Sequence, residues 1–140
     1  MLAIESIDRD IPSFLKLSEI ESWFSSVVEG YDLELGEVTV IFCSDDHLLE
    51  MNKQYLEHDY YTDIITFDYT EPEVVSGDLF ISLDRVEDNA TSLSQPFSRE
   101  LLRVMVHGVL HLCGLADKGE VAEKEMRSAE DRALATAPSY

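Results

Sequence analysis

Val106-His107-Gly108-Val109-Leu110-His111-Leu112-Cys113-Gly114-Leu115-Ala116-Asp117-Lys118 is the stretch on which the reading of this chain turns. Two histidines four apart on a helix lie one turn above the other, with roughly 5–6 Å between their Cβ atoms, so both imidazoles can reach one small cation. Gly114, just past the last helical residue, can take the left-handed conformation without a Cβ clash and fold the chain back. That turn carries the Asp117 carboxylate toward the same point. The spacing predicts a metal site of His107, His111 and Asp117. Three protein ligands leave one coordination position open, the arrangement of catalytic rather than structural zinc. Paired histidines on an apolar helix are otherwise buried and hydrogen-bonded, but the Gly and Asp that follow at ligand spacing favour the metal.

The same spacing occurs in metzincin proteases, His-Glu-x-x-His-x-x-Gly-x-x-His, where the Glu is the general base. Here that position is Gly108, so the ligand geometry comes without the proteolytic base and protease chemistry is disfavoured.

At 140 residues, 45% of them apolar, the chain fits one domain spanning residues 1–140, able to bury a core without disulfides. No run of about 18 apolar residues suggests a membrane span, and the acidic start (Glu5, Asp8, Asp10) lacks a basic signal-peptide beginning. A cytoplasmic protein with no membrane partner is expected. Cys43 and Cys113 are isolated and indicate no disulfide framework; at 100° per residue, Cys113 points away from the histidine face.

The net charge of −19 argues against indiscriminate polyanion binding. The charge is unevenly spread: residues 1–98 carry 22 acidic and 4 basic side chains, residues 99–140 seven and six. Arg99, Arg103, Lys118, Lys124, Arg127 and Arg132 surround the motif, either as a local basic surface or as partners of neighbouring acids.

Along the chain, Leu2 to Ile7 reads as a weak edge strand. Ser18 and Glu21 make a capping box for a helix with Ile20, Trp23, Phe24, Val27 and Val28 on one face, closed by Gly30. Trp23 and Phe24 belong to the core on this pattern. Val38–Cys43 is a strand, and Ser44 caps a helix to about Leu56 with Asp45 and Asp46 in its first turn. His47 and His58 lack partners at metal spacing and read as surface residues. Residues 62–69 and 77–83 are strand-like, and Asp84 with Glu87 caps a short helix. After Pro96 the motif helix begins with Ser98 as N-cap and a Phe97–Leu102 staple. It is apolar nearly all round and therefore buried. A last helix covers about 120–135, and the Ala-Pro-Ser-Tyr tail should fray. The fold class is α+β (mixed α/β): a small four-stranded sheet with helices around a central buried motif helix.

With these residues in place, the chain resembles the YbeY family of bacterial rRNA maturation endoribonucleases. Their hallmark, His-Gly-x-Leu-His-Leu-x-Gly-Tyr-Asp-His, is matched from His107 to Gly114. Met51-Asn52-Lys53-Gln54-Tyr55 is similar to the family's Leu-Asn-x-x-Phe/Tyr, Thr62-Asp63-Ile64-Ile65-Thr66-Phe67 to its Thr-Asp-Val-Leu-Ser-Phe, and Gly77-Asp78-Leu79 to its Gly-Asp-Ile. The resemblance covers about residues 38–132. It implies a metal-dependent endoribonuclease with one zinc per chain, acting on the 3′ end of 16S rRNA and in ribosome quality control, with rRNA and the small ribosomal subunit as partners; a monomer is expected. Two positions depart from the pattern: the third His is Asp117, a competent but harder ligand, and the Arg after the aromatic residue is Leu56, which cannot supply a guanidinium to phosphate.

The expected reaction is metal-assisted hydrolysis of single-stranded RNA. No general base stands out: Asp63 and Asp68 flank a strand and read as turn and edge carboxylates. Competing readings are a zinc-containing ribosome-assembly module that does not cut RNA, favoured by Leu56 and the acidic surface, and a metallohydrolase of another substrate.

Overall fold

The computed structural model describes residues 1–140. Its strands are β1 (Leu2–Ser6), β2 (Glu34–Cys43), β3 (Ile64–Asp68) and β4 (Val74–Ser82); its helices are α1 (Leu17–Glu29), α2 (Asp45–Leu56), α3 (Leu83–Ser92), α4 (Phe97–Leu112) and α5 (Glu120–Leu134). The strands lie in the order β1-β2-β4-β3, with β1, β2 and β4 parallel and β3 antiparallel on the β4 edge. This is the α+β architecture expected, with five helices on a four-stranded mixed sheet.

Alternation along the strands divides the apolar residues between the two faces. Val38, Val40 and Phe42 of β2 and Val75, Leu79 and Ile81 of β4 join the large core with α1, α4 and α5. Cys43, Ile65, Phe67 and Phe80 point the other way and pack under Leu48 and Met51 of α2. Trp23 and Phe24 are core, as their spacing required, and the Trp23 indole donates to the Ala133 carbonyl at 2.9 Å. No helix is long and apolar enough to cross a membrane.

Helix α4 is buried from both sides, with Leu101, Met105 and Val109 among its fully covered residues. It lies so close to the sheet that a Cβ on Gly108 would stand 2.8 Å from Ile64 Cδ1 and 2.9 Å from Leu79 Cδ2. Gly77 of β4 makes room in the same way, since a Cβ there would meet Leu112 Cδ2 at 2.8 Å. Gly108 is therefore a packing requirement. A glutamate at that position would have to displace the Ile64 and Leu79 side chains.

Several helix starts differ from the expected ones. Helix α1 has Lys16, not Ser18, as N-cap, and no side chain caps it. Glu21 instead accepts the Leu2 N–H at 2.6 Å, tying α1 to the edge strand. Ser82 caps α3, while Asp84 turns back to accept the Asp45 N–H of α2 at 2.9 Å. Pro96 replaces Ser98 as the N-cap of α4. The C-terminal tail is docked rather than frayed: the Tyr140 ring packs on Phe14 at 5.3 Å between centroids, and its hydroxyl donates to Glu19 at 2.9 Å. An aromatic side chain with a polar tip anchors those last residues. Strands β2 and β4 also begin earlier than their apolar runs suggest, with an irregularity in pairing between Leu35 and Val38.

Candidate active site

Gly114 ends the motif helix as its spacing requires, with φ of 103° and the Leu115 N–H bonded back to the Leu110 carbonyl at 3.1 Å. The same turn aims the Leu115 carbonyl at His111, whose Nδ1 lies 3.1 Å away. A carbonyl only accepts, so Nδ1 carries the proton and Nε2 keeps its lone pair. Beyond the turn, Asp117 returns to His107: its Oδ2 is 3.2 Å from Nε2. The other nitrogen of His107, Nδ1, donates to Glu130 Oε2 on α5 at 2.7 Å. Both histidines thus have Nδ1 held, with Nε2 of His107 paired to Asp117, the pattern in which outer hydrogen bonds orient a ligand's ring.

Glu130 is itself held. Arg103 donates to its Oε1 at 2.9 Å and to Asp131 at 2.7 Å. Burial disfavours the Glu130 carboxylate, but the hydrogen bonds and charges of His107 and Arg103 outweigh it and keep its pKa below the ordinary value. His107 shows the converse balance. Burial opposes its charged form, yet Glu130, then Asp117 and Asp63, raise its pKa.

The fit to a cation can be judged from these contacts. Two donors each about 2.0–2.1 Å from a tetrahedral ion stand roughly 3.3–3.4 Å apart, close to the 3.2 Å between His107 Nε2 and Asp117 Oδ2. The donor chemistry, imidazole with carboxylate, suits zinc. His111 is exposed, and no three His, Cys, Asp or Glu side chains stand close enough together, as placed, to enclose a cation. The structure thus brings two of the three expected ligands together and leaves the third beside them on the same helix. Burial pushes the Cys113 thiol up to about 11, and no other potential ligands gather around it.

A cleft of about 300 Å³ opens next to His107 and Asp117, lined also by Asp63, Glu100, Arg103 and Glu130. Asp63, expected as a turn carboxylate, belongs to this cleft. Burial raises its pKa despite the proximity of His107, and Asn89 donates to it at 3.2 Å. Asp68 is the turn carboxylate it was read to be, accepting the Thr70 N–H at 2.9 Å. The sequence reading singles out neither Glu130 nor Glu100; Arg103, open there as part of a local basic surface or as a partner of neighbouring acids, is the latter. Glu100, Arg103 and His107 stand at i, i+3 and i+7 on one stripe of α4, a polar interruption of an apolar helix that could have flagged them. Of the basic residues around the motif, Arg103, Arg127 and Lys124 are ion-paired and Arg99 donates to the Leu134 carbonyl. Of the other histidines, His58 is exposed and stacks on Tyr60, and His47 is half-buried.

Fold and site together define a small α+β protein whose histidine and carboxylate cleft sits at the end of a buried helix. The family model described as Endoribonuclease YbeY matches residues 4–137. Endoribonuclease YbeY of Phocaeicola vulgatus is 55% identical over 121 residues, covering 86% of this chain and 88% of that protein. Its counterpart in Parabacteroides distasonis is 48% identical over 137 residues, covering 98% and 96%. Among solved structures, that of TM1509 from Thermotoga maritima superposes with a TM-score of 0.68 at 30% identity, covering 97% of this chain and 88% of that one. The chain belongs to the YbeY endoribonuclease family.

Proposed function

We propose that this chain is a single-domain, metal-dependent endoribonuclease that cuts single-stranded RNA during maturation of the 16S rRNA 3′ end, with one zinc held by His107, His111 and Asp117. Family membership supports the activity. The observation that carries the site is the shared arrangement of the two imidazoles, each bound through Nδ1, with His107 Nε2 turned to Asp117. When bound, zinc polarises a phosphate oxygen and lowers the pKa of its water toward neutrality.

The chain's own residues do the rest. Glu130 fixes the His107 ring and its tautomer, and Arg103 keeps Glu130 ionised so that it goes on accepting from Nδ1. Asp63, at the cleft wall beside His107, is a carboxyl whose pKa burial raises, as a proton carrier requires. Single-stranded RNA is the substrate on this reading, because unstacked bases can be splayed into a cleft. On this reading the protein works in the cytoplasm, as a monomer, on rRNA in contact with the small ribosomal subunit.

Elemental analysis of protein purified without added metal tests the site. About one zinc per chain is expected, lost in His107→Ala; a reproducible absence of any transition metal would sink it. Leu56, 42% exposed where the family carries Arg, favours one other reading, a zinc-containing ribosome-assembly module that does not cut RNA. A metal-loaded protein that binds the small subunit without cleaving RNA would establish that alternative.

A further inference from the structure

Glu100 is the buried charge that the site described above does not use. It lies on the His107 stripe of α4, seven residues earlier and so roughly 10.5 Å along the helix axis. The residue is 6% exposed, and its carboxylate makes no hydrogen bond or ion pair within the chain. It is not sealed in, because the one enclosed side-chain atom without a partner is Arg85 Nε; the Glu100 oxygens open into the cleft beside His107. The neighbouring guanidiniums are committed elsewhere, Arg103 to Glu130 and Asp131, and Arg127 to Glu130.

A carboxylate largely withdrawn from water and without protein donors costs free energy, and folding gains nothing from it that a leucine would not supply. Water in the open cleft meets its oxygens in the free protein, and a ligand that displaces this water has to bring donors of its own. Phosphate is the wrong ligand at Glu100 itself, because a carboxylate with no cation bonded to it repels an anion. A second cation is disfavoured, since no three carboxylates converge there. A nucleobase meets the requirements: it is neutral, offers N–H donors at its edge, and has faces that suit the apolar wall of Ile64 and Val104. Guanine is the base whose Watson–Crick edge presents two adjacent donors, N1–H and the 2-amino group, to the two oxygens of one carboxylate.

We propose that this cleft is a subsite for an unpaired guanine near the phosphate to be cut, with Glu100 as the specificity-determining residue. The inference rests on the reading of the chain as an endoribonuclease. In such a strand the phosphate reaches the His107 end while the base lies along α4 toward Glu100.

Two readouts on the full-length zinc-loaded protein test it: binding of GMP, IMP and AMP by calorimetry, and mapping of cleavage sites on single-stranded RNA with guanosine or inosine at one position. GMP should bind more tightly than IMP or AMP by roughly five- to a hundredfold. Cleavage should fall next to guanosine and weaken with inosine. Glu100→Gln, with one acceptor turned into a donor, should lose the preference in both readouts. Glu100→Asp, which keeps both oxygens, should weaken GMP binding but retain the order, and it decides the matter if Glu100→Gln does not fold. Equal binding of the three nucleotides by the wild type, or an unchanged GMP preference in Glu100→Gln, overturns the subsite. GMP selectivity without RNA cleavage keeps the subsite and rejects the endoribonuclease reading; cleavage without base preference does the reverse.

Discussion

Asp117 stands where the family pattern has histidine, and the account of the site is most exposed there. If it is a ligand, Asp117→Ala leaves two imidazoles and loses the charged arm of the chelate, so zinc affinity should fall steeply. Asp117→His should retain the metal, because imidazole and carboxylate bind zinc at nearly the same distance. Titration of zinc against a competing chelator reads both, and unchanged affinity in Asp117→Ala would remove the residue from the ligand set. Glu130 acts through His107. Glu130→Gln should lower zinc affinity roughly 10–100-fold, the usual effect of losing the partner that orients a ligand; an unchanged affinity would make the Glu130–His107 contact incidental. The approach of Asp117 to His107 was legible in sequence because one helix and one turn fix it. Glu130 was not, because it comes from α5, 23 residues on, and only tertiary packing brings it to His107.

The elements show the same division between local and distant causes. Strand alternation and the all-round apolarity of α4 correctly predicted a sheet with a buried helix, whereas three expected N-caps failed. Ser18, Asp84 and Ser98 have the right chemistry, but packing lets Lys16, Ser82 and Pro96 start the helices and sends Asp84 to the start of α2. That start is a shared polar cluster, with the Asp8 carboxylate accepting from the Ser44 N–H at 2.7 Å and from its hydroxyl at 2.5 Å. Burial raises the Asp8 pKa, but the two bonds from Ser44 outweigh it and leave the net shift downward; Asp84 is held below its ordinary value by the Asp45 N–H and by Arg9. Groups with depressed folded pKa values contribute stability that is present above the unfolded value, about 3.9, and lost as pH falls through the folded one. Thermal melting should therefore show a loss of stability below about pH 4, smaller in Asp8→Asn with Asp84→Asn; identical pH profiles would refute the role of this cluster. The fit of α4 to the sheet gives a second test. Gly108→Ala should cost about 1–3 kcal/mol in urea unfolding, since the new methyl meets Ile64 and Leu79 in a closed core. A neutral result would mean that the helix can lift from the sheet at no cost.

On the scale of the whole molecule, charge and family pattern pull in different directions. A chain of net charge −19 gains no general attraction to RNA, and Arg103 and Arg127 near the cleft are spent on ion pairs, so on the proposed reading substrate is selected by local contacts. Leu56, exposed where the resembled pattern has Arg, offers phosphate no charge. Leu56→Arg should raise the rate on single-stranded RNA by roughly ten- to a thousandfold if the family's guanidinium acts on the transition state; a folded, metal-loaded variant that is no faster would show that the charge is dispensable here. Family membership was legible in four short blocks because each is contiguous in sequence. The cleft was not, because its wall joins β3, α4 and α5. The central claim is tested most directly by the cleavage of a labelled single-stranded RNA by the purified protein, measured as isolated, after chelation, and after zinc is restored. The account predicts cleavage, its loss and its return in that order, while cleavage by the folded protein that ignores the chelator would contradict it.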